Sequence, residues 1–252
     1  MRKIALVTGA TAGIGMAVAE ILAENAYNLI ITGRRKELLD ELKNKLGVKY
    51  KSDVLALNFD VRDREQTEEA IDLLPKSWEN IDVLINNAGL AAGLAPIHEG
   101  SVDDWDQMID TNIKGLLYIT RKVAPMMVKR GSGHIVNITS IAAKELYENG
   151  NVYCATKYAV DALTKGMRID LVKHGIKVTS IAPGMVETEF SLVRFKGDKA
   201  RADKVYEGLI PLNASDVADA VWFALSRPAH VNINDMLIMP TAQAAIATVV
   251  RK

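Results

Sequence analysis

Cysteine is almost absent from this sequence, which has one such residue, Cys154, among 252. A lone cysteine cannot close an intrachain disulfide, and no cysteine pair is available for a zinc site or a redox couple. The 4 histidines are scattered, without the helical spacing that holds a metal ion. We therefore expect no metal, and a reducing, cytoplasmic environment.

An excess of charge of one sign is also missing, because 31 Lys and Arg residues balance 31 Asp and Glu residues. Without a net charge there is no overall field to draw the protein to nucleic acid or to an anionic membrane. Long apolar runs are lacking too. The run from Ile4 to Val7 is too short for a signal-peptide core, and no stretch approaches the roughly 18 residues of a membrane span. We expect neither nucleic acid nor membrane as a partner.

What is present is the composition of an ordinary globular protein, with 49% apolar and 25% charged residues. A chain of this length can form two modest domains, but α/β folds of similar length commonly build one unit around one sheet. No repeat and no Pro/Gly/Ser-rich linker marks a boundary. We therefore expect residues 1–252 to form a single domain.

Short apolar segments recur along the chain and are typical of buried strands. They cover residues 4–8, 29–32, 54–59, 83–86, 134–139, 177–182 and 236–240. Segments with helical spacing lie between them, around 14–25, 36–46, 63–74, 101–130, 152–173 and 215–226. This alternation predicts an α/β fold, a Rossmann-type doubly wound parallel sheet of about seven strands with helices on both faces.

One long irregular region spans residues 183–212, which are rich in charge and bounded by Pro183 and Pro211. Long segments without secondary structure of their own are uncommon in compact domains, and they often carry function. We interpret residues 185–212 as a lid over the substrate. A solvated surface excursion is the alternative interpretation.

A glycine-rich turn, Gly9-x-x-x-Gly13-x-Gly15, joins the first strand to a helix. Glycine permits positive φ and a close approach of backbone to pyrophosphate, while the N–H groups and dipole of the following helix attract the anion. The spacing differs from G-x-G-x-x-G, and a tight turn without a ligand is the alternative. The dinucleotide hypothesis assigns cofactor contacts to Gly9, Thr11, Gly13, Ile14 and Gly15.

The end of the second strand lacks the acidic residue that would hold the ribose 2′-hydroxyl of NAD. It carries three cations instead, Arg34, Arg35 and Lys36, at the start of a helix whose dipole disfavours positive charge. A 2′-phosphate would compensate them through the forked hydrogen bonds of an arginine. The pattern favours NADP as the cofactor, bound by Arg34 and Arg35 with Arg34 the better candidate. Two solvated arginines are the alternative.

Three residues form a candidate proton-transfer set. Tyr153 and Lys157 are four residues apart on one face of a predicted helix, and Ser140 follows the fifth strand at the edge where parallel sheets bind ligands. Turning tyrosine into a phenolate near neutral pH requires a pKa shift of about three units, or roughly 4 kcal/mol. One ammonium about 4 Å away supplies roughly that in an effective dielectric near 20. We expect Lys157 to lower the Tyr153 pKa, and Ser140 to bind the substrate oxygen.

Taken together, the glycine turn, Asn86-Asn87-Ala88-Gly89, Ser140, Tyr153-x-x-x-Lys157 and Pro183-Gly184 resemble the short-chain dehydrogenase/reductase family over nearly the whole chain. The resemblance implies that Asn112 joins a proton relay through water to Lys157. It also implies dimers or tetramers, formed through the helices around 101–130 and 151–174. Further cofactor contacts are implied for Asp60, Val61, Asn87, Ala88, Gly89, Tyr153, Lys157, Pro183, Gly184, Val186 and Thr188.

Residues 188–198 and 228–234 are similar to those of the NADP-dependent 3-hydroxy acid dehydrogenases within this family, which act on serine, L-allo-threonine or malonic semialdehyde. Such substrates carry a carboxylate, which needs a cationic partner once it leaves water. Arg194 in the presumed lid is the candidate, with Lys144 or Lys196 behind it. A role in anchoring the lid is the alternative for Arg194, because arginine stems pack readily on apolar surfaces.

Other functions stay open. A reductase of longer 3-oxoacyl groups is the nearest enzymatic alternative, although residues 236–240 lack the glycine-rich strand ending common in those enzymes. A protein that binds NADP without turnover is another, although a pure binder would not require Ser140, Tyr153 and Lys157 together. Sugar epimerase or dehydratase chemistry is a third possibility, although such enzymes usually carry a larger substrate domain, for which this chain has no room.

Overall fold

The computed structural model describes residues 2–252. Its strands form one parallel sheet in the order β3-β2-β1-β4-β5-β6-β7, the doubly wound order that the sequence predicts. No strand end lies more than two residues from the predicted position. The strands are β1 (Ile4–Val7), β2 (Asn28–Gly33), β3 (Val54–Asn58), β4 (Ile81–Asn86), β5 (Gly133–Ile138), β6 (Ile176–Pro183) and β7 (Asp235–Ile238).

Helices cover both faces of this sheet. They are α1 (Gly13–Glu24), α2 (Lys36–Tyr50), α3 (Arg64–Asp72), α4 (Val102–Ile109), α5 (Leu116–Arg130), α6 (Asn151–Leu171), α7 (Phe190–Arg194), α8 (Lys199–Lys204) and α9 (Ala214–Leu225). Helices α1, α2 and α9 bury residues such as Leu22 and Val221 on one face. Helices α3 and α5 bury residues such as Ile71 and Ile119 on the other, where Met167 of α6 packs against them. Successive strand residues alternate between these two layers, as strand geometry requires.

The predicted helix over 101–130 is wrong as a single element. The chain forms α4, then a π-helical segment at Asp110–Gly115, and then α5. The helical spacing of apolar residues continues on both sides of the segment, so it does not reveal this change in winding. Segments of this kind often lie at functional sites, and this one contains Asn112.

The expectation of an irregular region over 183–212 also needs correction, because the region contains α7 and α8. These helices have 5 and 6 residues, too few to show a periodic pattern. The side chain of Asp198 accepts a hydrogen bond from the backbone N–H of Arg201 and so caps α8. The region is a folded segment beside the carboxyl edge of the sheet.

Candidate active site

The glycine turn occupies the position where the strand order reverses, between β1 and β4. Gly9 and Gly13 have φ of 65° and 51°, in the left-handed region that glycine adopts without strain. A Cβ on Gly15 would lie 2.3 Å from the carbonyl oxygen of Gly9, so only glycine fits there. Helix α1 starts at Gly13 without a side-chain cap, which leaves its first N–H groups free for an anion. The turn therefore fits a pyrophosphate.

The loop after β4 is tied to this turn by hydrogen bonds. Thr8 Oγ1 accepts from the backbone N–H groups of Asn87 and Ala88, both at 3.0 Å. The Asn87 amide donates back to the carbonyl oxygens of Thr8 at 2.9 Å and Gly9 at 3.1 Å. These bonds join the two loops into one rigid floor for a dinucleotide.

A cavity of about 410 Å³ opens along this edge of the sheet. Its wall contains most of the predicted site residues: Gly9, Thr11, Gly13, Ile14, Arg35, Asn87, Ala88, Gly89, Ser140, Tyr153, Lys157, Pro183, Gly184, Val186, Thr188 and Arg194. The wall does not include Gly15, Arg34, Asp60, Val61 or Asn112. A second groove of about 570 Å³, between β3 and the end of α2, contains none of the predicted residues.

The three candidate proton-transfer residues meet in this wall. Ser140 follows β5, where its hydroxyl oxygen accepts from the backbone N–H of Ala142 at 3.0 Å. Tyr153 and Lys157 come from the first two turns of α6, and the Lys157 Nζ atom lies 6.0 Å from the centre of the Tyr153 ring. The Lys157 ammonium donates to the carbonyl oxygen of Ile138 at 3.1 Å.

Lys157 is not among the groups that shift the pKa of Tyr153, so the expected lowering of that pKa by Lys157 stays a prediction. Burial raises the pKa of Tyr153 above 10, while the charge of Arg194 and the Ser140 hydroxyl act to lower it. Burial also lowers the pKa of Lys157 to about 8. The physical reason is desolvation, which disfavours the charged form of both groups. Arg194 is therefore the cation that favours the phenolate.

Asn112 lies behind the cavity rather than in its wall. Its side chain accepts from the backbone N–H of Leu90 and donates to the Leu90 carbonyl oxygen, both at 2.8 Å, and to Thr156 Oγ1 at 3.0 Å. It does not hydrogen-bond Lys157. These contacts join the loop after β4 to α6, and the part of Asn112 in a proton relay stays a prediction.

The two candidate phosphate-binding arginines differ in position. Arg35 lies in the cavity wall and contacts Thr11 and Glu189, whereas Arg34 points to Asp60 with a nitrogen–oxygen distance of 3.8 Å. The Asp60 carboxylate is held mainly by Arg62, at 2.6 Å. These positions favour Arg35 over Arg34, contrary to the expected order, and the part of either arginine at a phosphate stays a prediction.

Arg194 reaches the cavity from α7 and lies among aromatic rings. Its guanidinium carbon is 5.0 Å from the centre of the Tyr153 ring, 5.4 Å from that of Phe190 and 5.5 Å from that of Tyr147. It donates a hydrogen bond to the Tyr147 hydroxyl. Its Nε atom is buried without a partner, and no carboxylate within residues 2–252 pairs with it. The guanidinium thus has capacity for an anion.

Lys144 and Lys196, the alternative candidates for binding the substrate carboxylate, are wrong in that role because each forms an ion pair elsewhere. Lys144 binds Asp161 at 2.7 Å and Asp235 at 3.0 Å. Lys196 binds Asp104 at 2.9 Å, and neither lysine lies in the cavity wall. Both lysines secure structure around the site.

Sequence reasoning missed part of the wall, including Tyr147, Glu189, Phe190, Gln243 and Ile246. Gln243 is buried, and its side-chain oxygen accepts from the backbone N–H of Met185 at 2.9 Å. The backbone N–H of Ile246 donates to the Glu145 carboxylate at 2.8 Å. These residues are distant in sequence, and no motif places the C-terminal segment over the cavity.

Within residues 2–252, no three His, Cys, Asp or Glu side chains come together in a way that could hold a metal ion. In that same part of the chain, no helix combines the length and apolar composition that crossing a membrane requires.

Comparison with known proteins matches residues 3–198 to the short chain dehydrogenase family. The chain is 51% identical over 241 residues to the NADP-dependent 3-hydroxy acid dehydrogenase YdfG of Salmonella typhi, covering 95% of this chain and 96% of that protein. It is 44% identical over 245 residues to sulfoacetaldehyde reductase 2 of Chromohalobacter salexigens, covering 97% and 96%. Among solved structures, a closed serine dehydrogenase complexed with NADP+ matches with a TM-score of 0.93 and 48% identity over 99% of both chains.

Proposed function

The chain belongs to the short-chain dehydrogenase family, and from that membership we propose that it oxidises small 3-hydroxy acids and reduces the corresponding 3-oxo compounds. It is an NADP-dependent enzyme that acts on CH–OH groups. One observation supports the substrate class above the others. The Arg194 guanidinium lies in the cavity wall beside Tyr153 and has no acidic partner. A substrate carboxylate would complete its hydrogen bonds.

The chain's own residues carry the proton chemistry. A bound NADP+ would supply the acceptor for the hydride that leaves the carbinol carbon. Tyr153 accepts the hydroxyl proton as the phenolate during oxidation and donates it as the phenol during reduction, and Ser140 holds the substrate oxygen against the Tyr153 oxygen. Lys157 holds the cofactor ribose. Arg194 fixes the carboxylate, which orients the carbon at C3 toward the nicotinamide.

We propose that the cofactor lies across the floor formed by the two loops. Gly9, Gly13, Ile14 and Gly15 would hold the pyrophosphate, and Arg35 with Thr11 the 2′-phosphate. Arg34 would be a secondary ligand of the same phosphate. Asp60 and Val61 would border the adenine, and the nicotinamide half would lie against Asn87, Ala88, Gly89, Pro183, Gly184, Val186 and Thr188.

Residues 185–212 act in this proposal as the lid. The segment carries Arg194, and both of its ends are held by the C-terminal segment. Gln243 accepts from the N–H of Met185 at one end, and the N–H of Lys252 donates to the Gly208 carbonyl oxygen at 3.0 Å at the other. A lid of this kind excludes water from the hydride-transfer step.

The experiment follows nicotinamide absorbance with NADP and L-serine, L-allo-threonine, 3-hydroxybutyrate or 3-hydroxypropionate. The uncharged control substrate is the methyl ester of 3-hydroxypropionate. Arg194→Ala should raise KM for the acid by about 10- to 100-fold, because a charge-assisted hydrogen bond contributes roughly 1.5–3 kcal/mol. KM for the ester should change little. Equal effects on acid and ester would exclude the carboxylate role, and turnover only of 3-oxoacyl thioesters would support the alternative reductase.

A sulfonate substrate is a second candidate, favoured by the 44% identity to a sulfoacetaldehyde reductase. Arg194 could bind either oxyanion, since both accept forked hydrogen bonds from a guanidinium. Comparing kcat/KM for sulfoacetaldehyde and malonic semialdehyde with NADPH separates the two. A higher value for sulfoacetaldehyde would replace the carboxylate as the preferred group.

We further propose a cytoplasmic homotetramer or homodimer. The helices around 101–130 and 151–174 leave apolar side chains exposed that a partner subunit would cover, among them Leu117, Tyr158, Ile169 and Val172. The single buried cysteine suits a reducing compartment.

A further inference from the structure

Arg35 connects the glycine turn to the start of the lid. Its Nε and Nη2 atoms donate to Thr11 Oγ1 at 3.3 and 3.2 Å, and Nη2 also lies 3.3 Å from the Thr11 carbonyl oxygen. On the other side, its Nη1 atom donates to the Glu189 carboxylate at 3.0 Å. Glu189 directly precedes α7 and follows Thr188. The Arg35–Glu189 ion pair therefore joins the glycine turn to the start of the lid within the wall of the cofactor cavity.

The two sets of contacts leave Arg35 little capacity for another anion. A guanidinium offers its five N–H groups in a fixed planar fork, and a phosphate is bound best along one edge of that fork. Thr11 occupies the edge formed by Nε and Nη2. Glu189 occupies the Nη1 side, which is the part of the fork that Thr11 leaves open. A phosphate that binds Arg35 along this second edge would meet the Glu189 carboxylate there.

We propose that Glu189 competes with the 2′-phosphate of NADP for Arg35, so that the lid and the cofactor share one guanidinium. The inference rests on the proposed role of Arg35 in binding that phosphate. Phosphate binding breaks the Arg35–Glu189 ion pair and frees the start of the lid from the glycine turn. A cofactor without the 2′-phosphate leaves the pair intact. Glu189 thereby lowers the affinity for NADP and links cofactor binding to the position of the lid.

The exposure of the pair sets the size of the effect. The Arg35 and Glu189 side chains are 45% and 54% exposed. Ion pairs at such positions are weak, so a phosphate carrying nearly two charges can displace the carboxylate. We expect a change in affinity of about 2- to 5-fold at low ionic strength, and a smaller one in high salt.

The test measures binding of adenosine 2′,5′-bisphosphate and adenosine 5′-monophosphate by calorimetry, without substrate or turnover. These probes differ only in the 2′-phosphate and lack the nicotinamide. Glu189→Gln should bind the bisphosphate about 2- to 5-fold more tightly than the unaltered protein and leave the monophosphate affinity unchanged. The matched control is Glu187→Gln, which removes an exposed acid two residues away that forms no ion pair within residues 2–252.

Equal or weaker bisphosphate binding by Glu189→Gln would overturn the competition, since it would mean that Glu189 is neutral toward the phosphate or helps to hold it. An equal gain in Glu187→Gln would also overturn it, because a general loss of negative charge would then explain the result. Arg35→Ala tests the premise separately. If that variant binds the bisphosphate as well as the unaltered protein does, the phosphate site lies elsewhere and the proposed role of Arg35 is wrong.

Discussion

In the proposed function Arg194 would act on two groups at once, the substrate anion and the phenol of Tyr153. Its guanidinium lies against the Tyr153 ring, and its charge is the largest influence that lowers the pKa of a tyrosine whose burial raises it. The sequence led us to assign this influence to Lys157. In the structure the Lys157 ammonium is directed at the Ile138 carbonyl oxygen instead.

The first prediction concerns the pH dependence of oxidation in Arg194→Gln. Because the Arg194 charge favours the phenolate, removing it should raise the Tyr153 pKa and move the rising limb of log kcat against pH to higher pH. Lys196→Gln is the control, since it removes a lid cation that pairs with Asp104 outside the cavity wall. Profiles that coincide for Arg194→Gln and the unaltered protein would show that Arg194 does not act on Tyr153.

Burial of the charged Lys157 side chain destabilises the folded protein, and the dependence of the unfolding free energy on pH should show this effect. Burial lowers its pKa in the folded protein to about 8, from about 10.5 in the unfolded chain. Between these pH values the unfolded chain holds more protons, so stability rises as pH increases through this window. Below pH 8 the full penalty for the buried charge is present.

We therefore predict that Lys157→Met is more stable than the unaltered protein at neutral pH, by about 1–3 kcal/mol. The difference should shrink as pH rises from 8 through 10.5, because only above 10.5 is the lysine mostly neutral in both states of the unaltered protein. Urea unfolding without cofactor at several pH values measures it, with the exposed Lys173→Met as control. A gain that is independent of pH would point to better packing and not to relief of a buried charge.

At the scale of elements, the strands and the glycine turn were predictable because local rules determine them. Buried parallel strands read as short apolar runs, and a turn that needs φ above zero selects glycine, as at Gly9 and Gly13. The lid and the C-terminal segment were not predictable in this way. Their places depend on single long-range contacts, such as Gln243 with Met185 and Ile246 with Glu145, which leave no periodic pattern.

The third prediction tests the glycine turn as an element. A Cβ in Gly15→Ala would lie 2.3 Å from the Gly9 carbonyl oxygen and 2.4 Å from the Asn87 amide nitrogen. The turn must shift, which should cost about 1–3 kcal/mol in unfolding free energy and weaken NADP binding. Gly166→Ala in α6 is the control, because nothing lies within 4 Å of its added methyl group. We expect the unfolding free energy of that control to rise by about 0.5–1 kcal/mol. An equal loss of stability in both variants would contradict the steric argument.

At the scale of the whole molecule, α5 and α6 expose apolar side chains that no other part of the described chain covers. Ile169 is 75% exposed and Tyr158 41%, both on α6, and Leu117 on α5 is 38% exposed. The opposite side of α6 packs on the sheet through residues such as Val160. A helix that is apolar on more than its core-facing side is typical of one that also contacts a second subunit.

The last prediction follows from that surface. Ile169→Glu should reduce the oligomer to a smaller species, because assembly would bury a carboxylate without a partner. Light scattering coupled to size-exclusion chromatography measures the mass. The control is Val48→Glu on α2, whose side chain is similarly exposed at 73% and lies outside the proposed interface. A shift in both variants would indicate unfolding or general repulsion. An unchanged tetramer or dimer in Ile169→Glu would place the interface elsewhere, whereas a monomeric unaltered protein would mean that the apolar face of α6 is no subunit contact at all.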